Sequence, residues 1–167
     1  MSRPLGPAGA SGKIARMRVL LGVRHWGVIG GSERYAAELV PLLAGRGHEV
    51  AVLAAGASAP AADGARLEIV PGCAERRPRA SALAEVARAA RAFRPDVVLS
   101  LSSPGAEALA ALARGARAPL VRFVQDHVPF CPGSNKLHAD GARCLNAMGA
   151  ACLERCLLGA GCSGYHR

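Results

Sequence analysis

Apolar residues along this chain fall into short unbroken runs separated by stretches with helical spacing. Val19-Leu20-Leu21-Gly22-Val23 is the first run, suited to a strand buried on both faces. It enters the loop Arg24 to Gly31. There Ser32 reads as the cap of a helix, with Glu33 in the first turn, where the positive end of the helix dipole favours it. Ala36, Leu39, Val40 and Leu43 recur at helical spacing, and Gly45-Arg46-Gly47 stops the helix. Pro41, inside this pattern, lacks an amide hydrogen and predicts a kink or a split. Glu49 to Leu53 is the next strand and Arg66 to Val70 a further short one. Ser81 opens a helix whose Leu83, Val86, Ala87, Ala90 and Phe93 share a face. Val97 to Leu101 and Leu120 to Val124 are two more strands. Between them a helix starts at Ser102-Ser103-Pro104-Gly105, with Pro104 and Glu107 in its first turn, and runs to about Arg114. The order β-α-β-β-α-β-α-β predicts an α/β fold with a Rossmann-like, doubly wound parallel sheet.

Residues 1 to 16 have no periodicity and read as a disordered tail, leaving 17 to 167 as one domain. Arginine outnumbers lysine by 19 to 2, so the net charge of +9 reflects base composition more than a nucleic-acid partner. No basic cluster is interleaved with aromatics, which excludes a base-stacking surface. A solvated basic face, or attraction to anionic lipid headgroups or a phosphorylated substrate, accounts for the charge. No apolar run approaches the roughly 20 residues that span a bilayer. The expected setting is cytoplasmic, with reduced thiols and at most peripheral contact with the inner membrane face.

Candidate chemistry gathers at the expected carboxyl edge of the sheet. Gly27-Val28-Ile29-Gly30-Gly31 is not G-x-G-x-x-G, and Ala54-Ala55-Gly56 stands where a dinucleotide fold carries its ribose-binding acid. No P-loop motif exists. Gly30, Gly31, Ser32 and Glu33 opening a helix form either a tight turn or a binding corner for a phosphate or a pair of sugar hydroxyls. Asp126 and His127 follow the last strand, as turn formers or as a pair handling a hydroxyl proton. Asn135 and Lys136 add polar contacts. Cys131, Cys144, Cys152, Cys156 and Cys162 fall in the final third, which reads as a Cys-rich loop with a short helix near Ala150 to Leu158. There is no C-x-x-C pair. A structural Zn²⁺ on Cys131, Cys144, Cys152 and Cys162, a set of reduced buried thiols and a conditional disulfide all fit the spacing.

Met17 to Leu21, Gly30-Gly31-Ser32-Glu33-Arg34, Gly45-Arg46-Gly47-His48-Glu49-Val50 and Phe93-Arg94-Pro95-Asp96-Val97-Val98 together resemble the N-terminal half of family 4 glycosyltransferases. Asp126-His127 through Asn135-Lys136, with the cysteines up to Cys162, resembles a cysteine-bearing subgroup. The resemblance implies one half of a GT-B fold and retaining transfer from a nucleotide-sugar donor to a glycan or lipid-linked acceptor, with no cofactor needed for the chemistry. It implies that Gly30 and Gly31 face the donor diphosphate. Family members often carry a His-Asp pair after the strand that ends near Gln125; here Gln125-Asp126 stands in those places, with His127 one step on. The donor-binding domain with its E-x7-E motif is not in these residues, so the reading expects an acceptor-side fragment or a chain that works with a donor-domain partner. A non-catalytic binding module of the same fold, or a nucleotide-dependent enzyme of another Rossmann-like class, are the alternatives.

Overall fold

The computed structural model describes residues 15–27, 30–75, 77–102, 105–124, 131, 138, 140–145 and 149–152. Five strands, β1 (Arg18–Val23), β2 (Glu49–Ala54), β3 (Ala65–Ile69), β4 (Val97–Ser100) and β5 (Leu120–Arg122), form one sheet in the order β3-β2-β1-β4-β5. Every pairing is parallel. Helix α1 (Gly31–Gly45) covers one face, and α2 (Ala80–Phe93) and α3 (Ala106–Ala116) cover the other. This is the doubly wound, Rossmann-like arrangement the pattern predicts. A one-turn α4 (Ala150–Cys152) follows; the rest of the helix expected to Leu158, with Cys156, lies outside the described residues.

Side-chain alternation builds two cores. Val19, Leu21, Val23, Val50 and Val52 pack with Ala36 and Val40 of α1. Leu20, Ala51, Leu53 and Val98 pack with Val86, Ala90 and Phe93 of α2 and with Ala111 and Leu112 of α3. Buried Cys73 joins the second core, and burial pushes its thiol pKa up.

The motif residues at the amino edge of the sheet are structural. The Arg18 amide donates to Asp96 Oδ2 at 2.7 Å and the Asp96 amide returns a bond to Arg18 O at 2.8 Å. This exchange sets β4 against β1. His48 Nδ1 accepts from the Met17 amide at 3.1 Å, and Glu49 pairs with Arg18 at 3.0 Å. The Gly-His-Glu-Val run therefore locks the start of β2 to the start of β1. Gly47, at φ +87°, completes the stop of α1: the His48 amide reaches Leu43 O and the Gly47 amide reaches Ala44 O.

Several local expectations need correction. Helix α1 has Gly30, not Ser32, as its N-cap, and no side chain caps it. The Ser32 hydroxyl is engaged instead with Glu33 Oε2 at 2.9 Å. Helix α1 runs through exposed Pro41 without splitting. Packing of Ala36 and Val40 holds it together despite the missing amide. Pro41→Ala restores a donor to the helix interior. It is expected to raise unfolding stability by about 1–3 kcal/mol, less what proline saves in unfolded-chain entropy, as read from urea denaturation. Helix α3 starts at Ala106 with Gly105 as N-cap, later than expected, and Glu107 keeps its place in the first turn. Pro104 lies outside the described residues. On α2 the buried row is Ala82, Val86, Ala90 and Phe93, so Leu83 sits at its rim. No described helix is long and apolar enough to cross a membrane.

Candidate functional site

The strand order reverses between β1 and β4, and the crevice outside their carboxyl ends is where open α/β sheets take ligands. Three connections build this edge. The Arg24 amide, one residue past β1, donates to Ser102 Oγ past β4 at 2.7 Å. The Leu101 amide donates to Gly22 O at 3.1 Å. On the other side, pairing of β1 with β2 continues beyond both strands. The Trp26 amide donates to Gly56 O at 2.9 Å and the Ser58 amide donates to Trp26 O at 2.8 Å.

Trp26 anchors this extension. It is 4% exposed, and its indole Nε1 donates to Pro60 O at 2.8 Å. Gly27 then turns the chain at φ +120°, where a Cβ would lie 2.3 Å from Ser58 Oγ. Only glycine fits this turn, which directs the chain toward α1.

At the start of α1, Gly30 and Gly31 are exposed. With no side-chain cap, the first-turn amides of α1 point outward at the positive end of the helix dipole. A Cβ on Gly30 would lie 3.2 Å from Glu33 Oε2, so the Glu33 carboxylate stands over the same corner. Among the described residues, no other segment lies within 4 Å of a Cβ placed on Gly31. The corner thus offers amide donors beside a carboxylate acceptor. That combination suits hydroxyl groups, which both accept and donate, better than a bare phosphate, which the carboxylate repels.

Tyr35 of α1 stacks on Phe123, just past β5, with ring centroids 5.2 Å apart and planes 7° from parallel. The Phe123 amide donates to Ser100 O at 2.9 Å. The chain therefore leaves β5 against the second turn of α1, three residues before Asp126 in sequence. Asp126, His127, Asn135 and Lys136 lie outside the described residues. The structure brings together Gly30, Gly31, Ser32 and Glu33, and stacks Phe123 on Tyr35 further along the same helix.

His25 is a further candidate, which the sequence pattern did not single out. It is half-buried two residues past β1, and its Nε2 is buried with no hydrogen-bond partner among the described residues. Its ring lies against Gly56, where a Cβ would come within 3.3 Å of Nδ1. The signal was its place directly after the first strand. Of the proposed metal ligands, Cys131, Cys144 and Cys152 are buried, and Cys131 and Cys144 form no disulfide. Cys162 lies outside the described residues. Among the described residues no three His, Cys, Asp or Glu side chains converge as a metal site would require.

An all-parallel, doubly wound sheet with an uncapped helix start at its switch point defines a Rossmann-type ligand-binding domain of the α/β class. Residues 30–162 match the glycosyl transferase 4-like domain family, and the chain belongs to that family. It is a domain of the glycosyltransferase class, whose substrates are a sugar donor and an acceptor. Comparison with curated proteins yields no significant match.

Proposed function

We infer that this chain is the acceptor-side domain of a retaining glycosyltransferase, moving a sugar from a nucleotide-sugar donor to a glycan or lipid-linked acceptor. The observation that supports it most is the diglycine corner of α1, where open amides and the Glu33 carboxylate share one exposed site at the switch point. Amides and carboxylate together grip an oxygen-rich ring through hydroxyl groups, which accept from the amides and donate to the carboxylate. In this reading His127 donates to a sugar hydroxyl, while Asp126 orients it or accepts the acceptor hydroxyl proton. Asn135 and Lys136 add polar contacts to the bound sugars. No metal is needed for these steps; a Zn²⁺ on the cysteines is a matter of loop structure.

A thermal-shift panel of UDP- and GDP-sugars against NAD and NADP tests the reading. At roughly tenfold over Kd, a bound nucleotide sugar stabilises the chain by about 1.4 kcal/mol, or about 3–6 °C. The dinucleotides produce no shift, because Ala54-Ala55-Gly56 at the end of β2 has no carboxylate for a ribose. A shift with NAD or NADP alone overturns it.

A further inference from the structure

At the opposite, amino edge of the sheet lies a cavity of about 790 Å³ that no step above uses. Its charged lining is Arg18, Arg88, Arg91 and Arg94, and the rest is alanine. A second cavity of about 310 Å³ shares Arg91 and Arg94 and adds Arg117. Among the described residues, no acidic side chain lines either one. Arg18 is committed to Glu49, and Arg88 to Glu68 and Glu85. Arg91, Arg94 and Arg117 have no acidic partner among the described residues.

The backbone supplies a second, independent observation. Among the described residues, the two non-glycine residues with positive φ are Arg94 at 51° and Arg117 at 52°. They are the C-caps of α2 and α3. Glycine is the usual residue in the left-handed conformation at a helix end, because a Cβ is strained there. This chain has 20 glycines, and glycine codons are as rich in G and C as arginine codons, so base composition does not explain the choice. Arginine sits at both strained positions, and both arginines line the smaller cavity, which shares Arg91 and Arg94 with the larger one. Strain of this kind gathers at functional sites.

We propose that this arginine-lined hollow is a binding site for a phosphate-bearing anion, separate from the sugar site at the carboxyl edge. Guanidinium forks meet phosphate oxygens two at a time, and a pair of them facing one hollow matches a diphosphate or a lipid phosphodiester. The small floor of Ala84, Ala87, Gly115 and Ala116 leaves the room between them.

The test compares the full chain with the double variant Arg94→Gly/Arg117→Gly at low salt, in two arms. One arm titrates inorganic pyrophosphate by calorimetry. The other sediments the protein with phosphatidylglycerol vesicles, against phosphatidylcholine vesicles. Binding in either arm, weakened by about tenfold or more in the variant and by added salt, supports the site and says which source of phosphate it takes. Thermal stability of the variant is equal to the parent or higher, because glycine relieves the two strained caps. No binding in both arms, or undiminished binding by a variant that melts normally, overturns the proposal. A lower melting point with unchanged binding assigns the two arginines to the helix ends and also overturns it.

Discussion

The Gly115→Val variant melts roughly 6–12 °C below the parent chain, a loss of about 3 kcal/mol or more. Gly115 is where α3 lies directly against the backbone of α2. A Cβ there would lie 2.3 Å from Ala87 O, 2.7 Å from Ala87 Cα and 2.9 Å from Ala87 C. All three are backbone atoms, so no rotamer change relieves the contact and α2 must move as a body. That movement opens the core built by Val86, Ala90, Phe93, Ala111 and Leu112. Ala87→Gly does not rescue the variant, because the atoms in conflict remain. Gly22→Ala gives the contrast: its Cβ meets only Leu112 Cδ1, at 3.0 Å, the end of a side chain that can turn. Thermal melts by circular dichroism decide the matter. A Gly115→Val chain melting within about 2 °C of the parent contradicts the packing described for α2 and α3.

The second large effect is on binding with the fold intact. Gly31→Leu puts a side chain in front of the α1 amides, where its Cβ meets no other segment within 4 Å among the described residues. Leucine is also the better helix former, so stability is unchanged or slightly higher. Affinity for a nucleotide sugar or a glycoside falls by at least about tenfold, because the backbone corner is no longer approachable. Gly45→Leu is the matched control. It lies at the far end of the same helix, its Cβ also meets nothing, and it leaves binding alone. Equal binding by Gly31→Leu and the parent contradicts the assignment of the corner.

Much of the fold was legible because a parallel sheet covered on both faces demands unbroken apolar runs. Val19 to Val23 and Glu49 to Ala54 are buried almost throughout, and nothing but a strand pair flanking a helix accounts for them. The errors came where the deciding partner is distant in sequence. Which row of α2 is buried depends on α3 approaching at Gly115, so Ala82 replaced Leu83 in the core. The unbroken course of α1 through Pro41 depends on tertiary packing, which outweighs one absent amide. The cap of α1 fell to Gly30 because the Ser32 hydroxyl bonds its neighbour Glu33. At the site, the diglycine corner was readable from two glycines ahead of a helix. His25 was not, since only the pairing of Trp26 with the segment after β2 lays its ring on Gly56.

The central claim is that the amides opening α1 receive an oxygen-rich ligand at the carboxyl edge. Amide-resolved nuclear magnetic resonance tests it most directly, by titrating the full chain with UDP-glucose and, separately, with methyl glucoside. The account predicts that the Gly30, Gly31, Ser32 and Glu33 amides shift first and furthest. Shifts that leave those four residues unmoved while other parts of the chain respond contradict it.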